Sequence, residues 1–165
     1  KPLIVFTPKS QLSRPDAVSP HREFLAPSRF REVLPNPDAP APDQVTRAVF
    51  CTGKVYYDLA AYRKERNIAD TVIIRLEQIY PLAREQLTFL LAPYQKVRDF
   101  VWCQEEPSNM GAWGHLRNRL GHLFATSFRY AGRPPMACPA EGAKALHAAA
   151  QKRLLAAAFG PRAQS

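Results

Sequence analysis

From residue 45 onward, short apolar runs alternate with stretches of helical period, and nothing else in the chain narrows the possible folds as much. Residues 45–51 (VTRAVFC) read as a strand ended by Thr52-Gly53. Residues 54–67 then place Val55, Leu59 and Tyr62 on one helical face, with Tyr56 and Ala60 beside them. Residues 71–76 (TVIIRL) form the next strand, and Tyr80-Pro81 stops it and leads into a helix over residues 83–91. Residues 98–103 (RDFVWC) are a further strand, running into QEEPSNMGAW. A helix follows over 111–124, although Gly114 and Gly121 weaken it by roughly 1 kcal/mol each. An alanine-dominated helix closes the chain over 141–159. Strands that alternate with helices need crossover connections, which give a largely parallel sheet covered on both faces. The expected fold class is α/β in three layers.

The N-terminal quarter has a different character. Nine of the 16 prolines lie in residues 1–44, four of them in LPNPDAPAP. Proline fixes φ and restricts its predecessor, so this stretch is an extended connector, with a boundary expected near Gln44. Before it, residues 3–7 (LIVFT) form a continuous apolar run, expected as a strand buried on both faces. The start, KPLIVFT, has neither an initiator Met nor the charged, apolar and small-residue order of a signal peptide, which suggests a cut inside a longer chain.

Charge and cysteines bound the partners. Lys and Arg number 23 against 14 Asp and Glu, a formal net charge of +9, and residues 110–165 hold eight basic side chains against one acidic, Glu141. An acidic or phosphate-bearing partner has to be considered. The basic stretch lacks the interleaved aromatic and Gly pattern of an RNA-binding sheet and shows no helix-turn-helix signature, so no nucleic acid is expected. Arg117, Arg119, Arg129 and Arg133 read as a solvated or partner-facing surface. No apolar run approaches the ~20 residues of a membrane span. Cys51, Cys103 and Cys138 are odd in number and widely spaced, which reads as reduced, buried thiols in a cytosol-like compartment.

Several residues could carry chemistry. Thr52-Gly53-Lys54 lies between a strand and a helix N-terminus, where free N–H groups favour an anion, but the phosphate-cradling patterns GxxxxGK[ST] and GxGxxG are absent and a plain Gly turn competes. Glu105-Glu106 follow a buried strand and could do acid or base work, yet consecutive strand residues point to opposite faces, so a cap or an Arg pairing competes. Cys103 beside Trp102 reads as core, with no His at a spacing that would activate it. His21, His115, His122 and His147 are scattered; His115 and His122 could share a helix face, but no third ligand is evident and no metal site is expected.

Taken together, FTPKSQL (6–12), TGKVYYDL (52–59), IIRLEQIYPL (73–82), FVWCQEEPSNMGAW (100–113) and RYAGRP (129–134) are far more specific than any one alone. In this order they resemble the C-terminal end of the thiamine-diphosphate-dependent decarboxylating component of 2-oxoglutarate dehydrogenase complexes, from Pro2 to about Phe159. The resemblance implies a fold similar to the C-terminal domain of transketolases, a three-layer α/β/α sandwich whose mostly parallel sheet of about five strands has one antiparallel edge strand. Residues 1–44 would be the terminal strand of a preceding pyrimidine-binding domain plus the Pro-rich linker, and 45–165 the transketolase C-terminal-like domain. The family binds thiamine diphosphate and Mg in the preceding domains, so the resemblance implies no catalytic residue and no cofactor here, and an inactive fragment when alone. It further implies a homodimer, the lipoyl acyltransferase component as partner, passage of a succinyl group in the tricarboxylic acid cycle, and a cytoplasmic or mitochondrial-matrix location. A related 2-oxoadipate enzyme fits the same motifs.

Some relatives are activated by acetyl-CoA in this domain, and the matching positions suggest Thr7, Arg22 and Lys54, with Ser10 and Thr52 as neighbours. Relatives often read PKSLLR where this chain has Gln11 and Ser13, so that its Arg falls one place later, at Arg14. Gly111 and Trp113 belong to the GAW segment where the family's adjoining domains meet, and with Glu105 and Glu106 they are the expected interface residues, around an exposed apolar patch. The competing reading is an independent, non-catalytic module that binds a phosphorylated effector or a partner protein.

Overall fold

A sheet of five strands in the order β1-β3-β2-β4-β5 runs through the middle of the molecule. The computed structural model describes residues 2–4 and 8–161. The strands are β1 (Val33–Leu34), β2 (Arg47–Cys51), β3 (Thr71–Leu76), β4 (Asp99–Pro107) and β5 (Phe128–Arg133). The helices are α1 (Val55–Glu65), α2 (Arg84–Leu91), α3 (Trp113–Phe124) and α4 (Lys144–Phe159). β2, β3, β4 and β5 pair in parallel, and β1 adds an antiparallel edge, Val33 opposite Leu76 and Leu34 opposite Arg75.

The side-chain period of two explains why the central strands read as unbroken apolar runs. Ala48, Phe50, Val72, Ile74 and Trp102 point to one face, where α2 brings Leu87 and α3 brings Leu116 and Leu120. Val49, Cys51, Ile73, Val101 and Cys103 point to the other, against Val55 and Leu59 of α1 and Leu154 and Ala158 of α4. Each of these is buried, and a side chain such as Phe50 contributes about 1.5–3 kcal/mol by leaving water. The result is the expected three-layer α/β/α sandwich with a mostly parallel sheet and one antiparallel edge strand.

Several details differ from the reading of the sequence. Leu3 and Ile4 are not in a strand and are 88% and 75% exposed, because no strand among the described residues lies beside them; residues 5–7 of that run lie outside the described residues. On α1 the buried face is Val55, Leu59 and Arg63, not Tyr62: the Arg63 guanidinium donates to Thr71 O at 3.2 Å and to Asp38 O, pinning the Pro-rich connector to the sheet. Tyr62 stacks on Phe159 instead, ring centroids 5.2 Å apart. Two strands lie outside the periodicity. β1 is only two residues long, and β5 buries only Ala131 and Arg133 fully, so neither shows an apolar run. Cys51 and Cys103 are buried, as expected, but Cys138 is exposed.

Candidate functional site

In an open α/β sheet the functional crevice forms where neighbouring strands send their loops to opposite faces. Here that point lies between β2, which leads to α1 on one face, and β4, which leads to α3 on the other. Gly53 makes the first exit with φ +70°, a conformation that favours glycine, and Lys54 then precedes the first turn of α1. The second exit is irregular. Cys103 pairs with Ala131 and Pro107 with Arg133, so residues 104–106 of β4 bulge relative to β5 and re-aim their side chains. Lys54 Nζ and Glu105 Oε1 form an ion pair across the crevice. Two separate candidates of the sequence, the Gly turn and the paired glutamates, thus meet through one residue each. Glu106 points elsewhere and is exposed; its carbonyl accepts from Tyr130 Oη at 2.9 Å. Lys54 thus has a carboxylate partner in Glu105, and Asp58 sits in the first turn of α1.

The bulge is organised by one buried amide. Gln104 is 1% exposed; its Oε1 accepts from Trp102 Nε1 at 2.8 Å and from Trp113 N at 3.0 Å, and its Nε2 donates to Met110 O at 2.8 Å. Gly111, at φ +66°, packs so closely that a Cβ there would lie 2.9 Å from Gln104 Nε2. Trp113 is half-buried, its ring 5.3 Å from that of Tyr130, so the GAW segment is tied down locally.

A second feature lies against the first turn of α1. Residues 16–23 and 31–37 wall a groove of about 560 Å³ whose floor is Tyr56, Tyr57 and Arg75 and which Arg22 and Arg31 line. The Arg75 guanidinium sits 4.5 Å over the Tyr56 ring and 5.5 Å over that of Tyr57, with Nε 2.8 Å from Glu77. Burial pushes the Tyr56 phenol up, so it stays neutral. The groove's two acids are engaged, Asp16 with Arg14 and Glu23 with Arg31 at 3.9 Å, whereas Arg22 faces no carboxylate within ion-pair range among the described residues. Guanidinium groups over phenol rings suit a ligand that combines an anionic group with a flat ring.

Of the expected effector residues, the structure places Arg22 in the groove and Lys54 outside it, on Glu105. Ser10 lies exposed in a 3-10 turn, Thr52 is half-buried after β2, and Thr7 falls outside the described residues. Arg31, Arg75, Tyr56 and Tyr57 belong to the groove without being among the expected effector residues. Tyr56 and Tyr57 stand in the motif TGKVYYDL and Arg75 in IIRLEQIYPL, but neither motif by itself shows that the three share a groove, and Arg31 has no sequence signal.

Burial disfavours the thiolate form of both thiols at the crevice. Burial pushes the Cys51 thiol up to about 12 and that of Cys103 well above its ordinary value. Among the described residues no three His, Cys, Asp or Glu side chains converge to hold a metal ion, and no helix is long and apolar enough to cross a membrane.

Residues 18–159 match the family model described as 2-oxoglutarate dehydrogenase C-terminal. The chain is 44% identical over 161 residues to the 2-oxoglutarate dehydrogenase E1 component of Cupriavidus necator, covering 96% of this chain and 17% of that protein. It is 44% identical over 164 residues to the E1 component of Azotobacter vinelandii, again 96% and 17%. To the mitochondrial 2-oxoglutarate dehydrogenase of Caenorhabditis elegans it is 41% identical over 166 residues, 97% of this chain and 16% of the relative. It thus spans about a sixth of the length of the relatives it matches, and within that span the chain belongs to the 2-oxoglutarate dehydrogenase C-terminal family.

Proposed function

We propose that this chain is the C-terminal portion of a 2-oxoglutarate dehydrogenase that oxidatively decarboxylates 2-oxoglutarate and hands the succinyl group to a lipoyl carrier. Its own contribution is to organise the enzyme dimer and to read a phosphorylated effector. The match over residues 18–159 supports the first part of this reading, and the arginine-lined groove supports the second. Thiamine diphosphate and Mg would be held by the remainder of the enzyme, and no step of the decarboxylation is routed through the residues of this chain. The enzyme would work in the cytoplasm or the mitochondrial matrix, beside the acyltransferase component.

Acetyl-CoA is the effector whose chemistry fits best. Its phosphates would meet Arg22 and Arg31, and its adenine would lie on the phenol rings of Tyr56 and Tyr57. The Lys54–Glu105 pair and the Gly111–Trp113 turn belong to a different part of the surface, the sheet's C-terminal edge, which suits contact with neighbouring domains or the second subunit. The division of labour is tested by assaying 2-oxoglutarate decarboxylation with thiamine diphosphate and Mg. The 165 residues alone should be inert and the intact polypeptide active; turnover by the 165 residues alone would refute it.

A further inference from the structure

Between Pro8 and Glu32 no residue is buried, and Leu12, Val18 and Phe24 are exposed. Within this chain the strap therefore gains little from apolar burial. Among the described residues its backbone hydrogen bonds are all local, such as Ala17 N to Arg14 O, Glu23 N to Pro20 O and Ser28 N to Leu25 O. Backbone pairing with the rest of the molecule begins only at Glu32, whose carbonyl accepts from Glu77 N and Gln78 N. Yet residues 16–23 of the strap form one wall of the arginine groove.

What holds that wall is a single side chain. Arg14 Nη1 donates to Asp58 Oδ1 at 2.8 Å, and among the described residues this is the one hydrogen bond joining residues 8–31 to the remainder. The same guanidinium donates through Nε to Asp16 Oδ1 at 2.7 Å and lies 5.3 Å from the Tyr57 ring centroid. It thus ties the wall residue Asp16 to the floor residue Tyr57. Asp58 is itself steadied from behind by Gln151 of α4, Nε2 to Oδ2 at 2.9 Å. A segment fastened at one point to a rigid helix is held where that contact puts it, and loss of the contact frees it.

We infer that Arg14 is the latch of this strap: it is a positioning residue that builds the groove, and through it strap closure and anion binding are linked. This deepens the effector reading above and rests on it. A ligand that needs the closed wall binds with an affinity reduced by the fraction of open molecules. The ligand in turn holds the strap closed.

Hydrogen–deuterium exchange and an acetyl-CoA titration, both on the intact enzyme and its Arg14→Ala variant, test the inference. Without ligand, the variant should exchange the amides of residues 17–28 roughly fivefold faster, as expected for losing one partly exposed, hydrogen-bonded ion pair, while β2 to β5 are unchanged. Arg14→Lys, which keeps the charge and loses the fork, should fall between the two. In the titration the variant should bind acetyl-CoA more weakly by a similar factor, and ligand should slow strap exchange in the wild type. Unchanged strap exchange in Arg14→Ala overturns the latch. Faster exchange with unaltered binding overturns the linkage. Absence of binding by the wild type refutes the effector reading itself, and the linkage with it.

Discussion

Asp99 opens β4 at the N-terminal edge of the sheet and binds two arginines, Arg47 Nε at 2.7 Å and Arg129 Nη2 at 3.1 Å. Each arginine also reaches the end of α4: Arg129 Nη1 donates to Ala157 O, and Arg47 Nη1 to Phe159 O. One carboxylate thereby holds in place the two side chains that satisfy carbonyls at the helix's end, in a chain whose α4 has no basic residue in its final turn. Replacing Asp99 by Ala leaves two guanidinium groups together without their anion. Breaking a fully buried pair costs about 3–5 kcal/mol. The side chains here are 13–18% exposed, so water can reach them, and a cost of about 2–4 kcal/mol is appropriate. For a domain of this size, about 3 kcal/mol lowers Tm by roughly 6–12 °C. Urea unfolding followed by circular dichroism measures it: the midpoint should fall with the slope unchanged. A loss under about 1 kcal/mol would refute the reasoning, because an exposed pair contributes no more than that.

The same residue has a pH signature. Burial alone would raise the Asp99 carboxyl, but the hydrogen bonds from Arg129 and Arg47 outweigh it and hold it below its ordinary value. A depressed folded value means stability that is fully present above the unfolded value, about 3.9, and lost as pH falls through the folded one. The stability gap between wild type and Asp99→Asn should be constant from about pH 7 to 5 and shrink below about pH 4. A gap that persists unchanged to about pH 2 would contradict this.

Other outcomes follow from the crevice and its bulge. Gly111→Ala should destabilise by about 1–3 kcal/mol, since it both strains a positive φ and drives a methyl into Gln104; a melting temperature equal to wild type would contradict this. Titration of the native protein with a thiol reagent near pH ~8 should label Cys138 alone, and labelling of Cys51 or Cys103 before unfolding would show the crevice to be open. Lys54→Met should cost less than about 1 kcal/mol, because the pair with Glu105 is partly exposed, and a larger loss in chemical denaturation would mean Lys54 does more than neutralise that carboxylate.

The central strands and the helices are legible in the sequence because both faces of the sheet are covered, which makes β2, β3 and the start of β4 continuous apolar runs. What is not legible follows from the same physics. β5 is half-buried, with Arg129 and Arg133 paired to Asp99 and Glu141, so it carries no apolar pattern. β1 consists of Val33 and Leu34 alone, held in place by Leu76 and Arg75 of β3. Two residues are too few to show a period, so in the sequence they merge into the Pro-rich connector.

The site is legible in pieces. Thr52-Gly53-Lys54 and Glu105-Glu106 stand out as motifs, but which glutamate faces Lys54 depends on the bulge at residues 104–106, and a bulge has no signature in a single sequence. Arg22 stands out only through the family resemblance. Its groove needs Arg75, Tyr56 and Tyr57, which come from two other elements and meet only in the folded chain.

If this chain supplies an anion-reading groove to a larger dehydrogenase, calorimetric titration of acetyl-CoA into the intact enzyme shows it most directly. The expected result is saturable heat that Arg22→Ala weakens at least about tenfold, the effect of losing a charge-assisted contact. A flat wild-type titration, or an Arg22→Ala variant that binds as tightly as wild type, would contradict the groove's role.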